Sequence, residues 1–140
     1  MTDVLARHQD PQRVARLLSM RRIAVVGLSS NPARPSYGVA AYLLEHGYQV
    51  IPVNPREDTV LGQTAYDSLL EIPHPVDLVD VFRASDAVPE IARQAVSIGA
   101  QALWLQLGVI SPIGIEIAEA AGLEVVVDLC IKIEHARQVA

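Results

Sequence analysis

Short runs of consecutive apolar residues, each closed by glycine, proline or a polar turn, alternate along this chain with stretches whose apolar positions recur every three or four residues. The first pattern predicts strands buried on both faces, and the second predicts amphipathic helices. Asp10 before Pro11 is an N-cap and first-turn signal, and Val14, Leu17 and Leu18 carry a leading helix to Met20. Ile23, Ala24, Val25 and Val26 form the first strand, ending at Gly27. A helix over 37–45 presents Val39, Ala40, Leu43 and Leu44 on one face and stops at Gly47, and 48–53 is a second strand closed by Asn54 and Pro55. A short helix is expected within 64–72, before Pro73 and Pro75 interrupt the pattern. Residues 76–82 read as a strand. Ser85 or Asp86 is placed to cap a helix bearing Val88, Ile91, Ala92, Ala95 and Val96 that ends at Gly99. A strand over 102–107 follows. Ser111 and Pro112 then open a helix carrying Ile113, Ile117 and Ala121 that closes at Gly122, before a strand over 123–127 and a last helix over 131–138.

Strands alternating with helices through short connections require right-handed crossovers. The expected fold is therefore α/β, a Rossmann-like open parallel sheet of about five strands with helices on both faces. A length of 140 residues suits one domain spanning 1–140. Composition agrees, because 51% of the residues are hydrophobic while Phe and Trp occur once each, which suits Val/Ile strands covered by Ala/Leu helices.

Charge and cysteine content narrow the function classes. A net charge of -5 argues against a broad nucleic-acid surface, which needs a basic stripe, but leaves room for a local basic pocket. Cys130 is the single cysteine, so no internal disulfide framework is expected, and the four histidines lack zinc-ligand spacing, so no metal is expected. No apolar run approaches the ~20 residues that span a bilayer, and the N-terminal segment carries acids without an apolar signal core. A cytoplasmic protein without membrane association is expected.

In an open parallel sheet, ligands lie beyond the carboxyl ends of the strands near the point where strand order reverses. Three of those ends lead to an arginine: the loop after the first strand to Arg34, the second strand to Arg56, the third to Arg83. Guanidinium groups gathered at one edge beside a helix N-terminus at Ser36 suit a multiply charged anion. The first loop keeps only Gly27 of the dinucleotide GxGxxG pattern, and Val53-Asn54 stands where an NAD site places a carboxylate. Unmodified NAD is disfavoured. A ligand with a phosphate on its ribose, NADP or coenzyme A, matches the arginine better.

The segments IAVVGLSSNPARPSYGVAAYLLEHGYQVIPVNPR, GQTAYDSL, PVDLVDVFR, WLQLGV and CIKIEH resemble the small stand-alone CoA-binding-domain family over residues 12–138. That domain type is similar to the CoA-binding part of the succinyl-CoA synthetase alpha subunit. The resemblance implies coenzyme A as cofactor. It implies that the turn from Gly27 to Ser29, with Asn31, Arg34, Ser36 and Tyr37 around the start of the next helix, holds the diphosphate. Val53, Asn54, Pro55 and Arg56 together with Phe82 and Arg83 would border the adenosine, and Gln106 and Gly108 would lie toward the pantetheine. Many relatives carry arginine before the cysteine where this chain has Leu129.

Further residues each have two readings. Cys130 follows the last strand and could accept an acyl group only with a cation or helix N-terminus to lower its pKa, whereas a buried apolar cysteine is the commoner case. His135 is expected on the surface of the last helix, and Trp104 in the core. Tyr37 can either reach a phosphate or pack as a half-buried aromatic. Asp77 and Asp80 are expected on a solvated strand end rather than facing the pocket. With a legible binding edge and no catalytic set, the first function expected is a non-catalytic carrier, sensor or regulatory module for CoA or acyl-CoA. The alternatives are a subunit of an acyl-CoA enzyme whose catalytic part is on a partner chain, an NADP-binding redox sensor, and a DNA-binding regulator that would need a helix-turn-helix this chain lacks. Homo-oligomerisation and a partner enzyme both stay open.

Overall fold

A computed structural model describes residues 6–139. The expectation for the extreme N-terminus, residues 1–5, lies outside the described residues. The chain runs α1 (Pro11–Leu18), β1 (Arg22–Val26), α2 (Pro35–Glu45), β2 (Gln49–Val53), β3 (Thr59–Val60), β4 (Gln63–Thr64), β5 (Leu78–Val81), α3 (Val88–Ser97), β6 (Ala102–Leu105), α4 (Pro112–Ala120), β7 (Glu124–Val127) and α5 (Ile131–Val139). Five strands form one parallel sheet in the order β2-β1-β5-β6-β7, and β3 and β4 pair as a separate antiparallel ribbon. This is the α/β Rossmann-like arrangement read from the periodicity.

Local chemistry fixes the helix starts. The Asp10 carboxylate accepts from the Arg13 amide at 3.0 Å, and the Ser111 hydroxyl accepts from the Gly114 amide at 3.0 Å, each satisfying a first-turn N–H that the helix leaves unpaired. The expected cap of α3 is replaced by a 3-10 turn over Ser85–Ala87, and the Ser85 hydroxyl instead accepts from the Ile110 amide at 3.0 Å.

Because successive strand residues face opposite sides, the sheet feeds two apolar layers. Ala24, Val26, Val79, Val81, Leu103, Leu105, Val125 and Val127 pack with Val88, Ile91, Ala92 and Ala95 of α3 and Ile115 and Ala118 of α4. The other layer joins Ile23, Val25, Leu78, Trp104 and Val126 to Leu17 of α1, Val39, Ala40 and Leu43 of α2 and Ile131 of α5. Trp104 is a core residue, fully buried, and its indole N–H donates to the Leu129 carbonyl at 2.8 Å.

Several expectations are corrected. The helix expected within 64–72 is only a 3-10 turn over Leu69–Glu71, and the residues before it make the β3–β4 ribbon, turned at Leu61 and Gly62 with φ of 52° and 75°. Asp80 is not solvated. It is fully buried, aligned with Val25 and Trp104 in the centre of the sheet, and its carboxyl oxygens have no hydrogen-bond partner among the described residues. Burial pushes its pKa well above the ordinary value. Asp77 pairs with Arg22 at the opposite end of the sheet from the binding edge, accepting from the Arg22 amide at 3.0 Å and from its guanidinium at 3.2 Å. His135 is buried rather than on the surface. Its Nδ1 lies 2.7 Å from the Tyr42 hydroxyl, and the His46 ring sits 5.1 Å away. Burial, then the neighbouring His46 and Arg21, holds its pKa below the usual histidine range.

Candidate functional site

The strand order reverses direction between β1 and β5, since the chain goes from β1 outward to β2 and then crosses to β5. A cleft of about 640 Å³ opens at the carboxyl ends of these three strands. It is lined by Gly27, Ser29, Arg34, Pro35, Ser36, Val53, Asn54, Pro55, Arg56, Glu57, Phe82 and Arg83. Most residues singled out from the sequence thus meet in one place. Asn31, Tyr37, Gln106 and Gly108 do not line it.

Gly27 sets the approach of the strands to the cleft. Its φ is +88°, and a Cβ there would meet the Phe82 carbonyl oxygen at 2.6 Å. Its amide donates to the Val53 carbonyl at 2.8 Å, so the first turn touches both neighbouring strand ends. Beyond it the loop supplies its own acceptors. The Ser29 amide donates to the Ser36 hydroxyl at 3.1 Å, the Asn31 amide to the Ser29 hydroxyl at 3.0 Å, and the Ala33 amide to the Asn31 side-chain oxygen at 2.9 Å. The Asn54 side-chain NH2 donates to the Leu28 carbonyl at 3.1 Å, tying this loop to the end of β2. Asn31 therefore shapes the loop rather than facing the cleft.

Helix α2 starts at the cleft floor, and no side chain caps its first turn. Pro35 brings no N–H and the Tyr37 amide donates to the Arg34 carbonyl at 3.1 Å, so the helix dipole with the Ser36 amide is what favours an anion there. The cationic residues agree. Arg7, Arg13, Arg16, Arg22, Arg93 and Arg137 each sit against a carboxylate, and Arg21 and Lys132 lie over tyrosine rings. Among the described residues Arg34, Arg56 and Arg83 have no such partner, and all three border the cleft.

The remaining sequence candidates have structural engagements. Gln106 is buried and its side-chain oxygen accepts from the Ile131 amide at 3.2 Å, holding the start of α5. The Gly108 amide donates to Asp128 at 2.7 Å. Tyr37 is half-buried against the layer of α1, α2 and α5. Cys130 is half-buried immediately before α5.

Two lining residues were not anticipated, Pro35 and Glu57. Glu57 follows Arg56 by one position, and the sequence carries no signal that its carboxylate turns back across the cleft. It accepts from the Ser30 amide at 2.8 Å, and hydrogen bonds from the Ser30 side chain and then its backbone hold the carboxyl below the usual range.

The profile of the family described as "CoA binding domain" matches residues 21–136, which takes in every strand of the sheet and the whole cleft. The chain belongs to the CoA-binding-domain family. Its relatives include a Bacillus subtilis protein named YneT, 42% identical over 83% of this chain and 86% of that one. A solved structure of a Pyrococcus horikoshii protein covers 93% of this chain and 92% of its own with a TM-score of 0.90 at 37% identity. The alpha subunit of a Pyrococcus furiosus enzyme named acetate–CoA ligase [ADP-forming] II is 49% identical over 41% of this chain, but the match takes in only 13% of that subunit. The CoA-binding domain here thus spans a small part of the ligase chains it resembles. Among the described residues no helix is long and apolar enough to cross a membrane.

Proposed function

We propose that the cleft binds coenzyme A or an acyl-CoA, as a carrier, sensor or regulatory module rather than as a catalyst. The observation that carries this reading is the set of three arginines without carboxylate partners around an uncapped helix N-terminus and the Gly27 turn. Such a set suits a ligand with several phosphates. The diphosphate rests on the Ser29–Ser36 side with Arg34, and Arg56 and Arg83 read the ribose 3′-phosphate. The Ser29 and Ser36 hydroxyls accept from loop amides, which holds the loop in the shape that frames the phosphates. The kinship with ligase alpha subunits favours one second reading, a subunit whose catalytic part is on a partner chain. Co-purification of an acyl-CoA-processing chain from the native host would favour it.

Calorimetric titration of CoA, dephospho-CoA and NADP tests the assignment. A hydrogen bond to a charged group contributes about 1.5–3 kcal/mol, so dephospho-CoA binds roughly 10- to 150-fold more weakly than CoA. Arg56→Ala and Arg83→Ala weaken CoA while sparing dephospho-CoA, and Arg34→Ala weakens both. Binding of NADP without CoA would overturn the ligand, and equal affinities for CoA and dephospho-CoA would overturn the 3′-phosphate assignment.

A further inference from the structure

We infer that Glu57 is a built-in competitor for the diphosphate, a carboxylate that occupies the anion-binding loop until a ligand phosphate displaces it. The inference rests on the reading of this cleft as a diphosphate site. The amides of Ser29, Ser30, Asn31 and Ala33 each donate to a side-chain oxygen, and three of those oxygens are neutral: the Ser36 and Ser29 hydroxyls and the Asn31 amide oxygen. The fourth is charged. Glu57 Oε2 lies 2.8 Å from the Ser30 nitrogen, a contact that reaches from the loop after β2 to the loop after β1.

One N–H cannot serve a carboxylate and a phosphate at the same distance. Nor can a second anion settle beside the carboxylate without repulsion. The charged groups facing Glu57 across the cleft are Arg34, Arg56 and Arg83, none of which has it as an ion partner, so the carboxylate is held by the loop rather than by a guanidinium. In the free protein Glu57 keeps the loop satisfied and lowers the positive charge of the cleft. A ligand gains the Ser30 donor only if it brings its own anion to that point. The arrangement therefore selects for diphosphate-bearing nucleotides and against nucleosides, which can neither displace the carboxylate nor use what it vacates.

Glu57→Ala and Glu57→Gln, titrated with CoA, ADP and adenosine, test this. Removing the charge should tighten CoA and ADP about 3- to 10-fold, within the effect of one exposed charge-assisted bond, and leave adenosine unchanged. In the free wild-type protein the Ser30 amide proton resonance should shift as the Glu57 carboxyl titrates, and this response should vanish in Glu57→Ala. A gain with ADP but no CoA binding would sustain the role of Glu57 and overturn the CoA assignment. CoA bound equally by wild type and Glu57→Ala would overturn the competitor while leaving the CoA assignment standing. A Ser30 amide indifferent to the carboxyl titration, or no response to either diphosphate in any variant, would also overturn it.

Discussion

Replacing Asp80 by Leu should stabilise the protein at neutral pH, by an amount that grows as the pH rises from acid. The carboxyl sits in the central strand with no solvent contact and no hydrogen-bond partner among the described residues, between Val25 on β1 and Trp104 on β6. Two effects follow. The neutral acid is itself an unsatisfied buried polar group, which costs about 1–3 kcal/mol relative to an apolar group of similar shape. The charged form is costlier still, so the folded protein keeps the proton that an unfolded chain gives up near the ordinary value of 3.8. For an acid whose folded pKa is raised, the native state binds more protons than the unfolded chain between 3.8 and the folded pKa, and the Asp80 contribution to stability falls as pH increases through that window. The slope is about 1.4 kcal/mol per pH unit within that window. Urea unfolding of wild type and Asp80→Leu between pH 4 and pH 8 isolates this from the other carboxylates, which are common to both proteins. Asp80→Asn serves as a control, since it abolishes titration but keeps a buried polar group, and should share the loss of slope with a smaller gain. A stability difference between wild type and Asp80→Leu that stays constant across this range would show that Asp80 is ionised in the fold, and the account of its burial would be wrong.

Gly27→Ala should lower stability by about 2–4 kcal/mol, combining the strain of a left-handed residue with the 2.6 Å encounter with the Phe82 carbonyl oxygen, and a thermal melt reads the loss. His135 has a folded pKa depressed mainly by burial, so its stability contribution is complete above the unfolded value of 6.5 and is lost as pH falls through the folded pKa. Replacing it with Asn should therefore flatten the stability profile on the acid side of 6.5, as read by denaturant unfolding at successive pH values.

Where a pattern was long and its ends were punctuated, the sequence was enough to place an element. The apolar run Ile23 to Val26 before Gly27, and the pairs Asp10-Pro11 and Ser111-Pro112, act through strictly local chemistry, and the strands and caps lie where these signals put them. The β3–β4 ribbon was not legible because two-residue strands have no period, and its turn uses Leu61-Gly62 in place of the usual Asn-Gly. Asp80 and His135 were misread for a common reason. Polarity predicts exposure, whereas here the surrounding strand register buries one, and the packing of α2 on α5 buries the other. At the cleft, strand ends and arginines could be located by topology, since a parallel sheet brings its carboxyl ends to one side. The return of Glu57 onto Ser30 depends on loop geometry that no spacing rule encodes.

On the outer side of β7, the Val127 amide donates to the His8 carbonyl at 3.1 Å, the Gln9 side chain donates back to the Val127 carbonyl at 3.1 Å, and Arg13 donates to the Val125 carbonyl at 3.0 Å. On the outer side of β2, Pro52 has no N–H to offer and its carbonyl accepts from Tyr66 at 3.0 Å, while the Asn54 amide donates to the Tyr66 carbonyl at 2.9 Å. Segments flanking the core thus act as selvedges, occupying hydrogen-bonding groups that would otherwise template a neighbouring strand. Edge-to-edge pairing is thereby obstructed along β7 and along the cleft-side half of β2, and removing His8 and Gln9 should bare the Val127 amide and carbonyl as a template for a neighbouring strand.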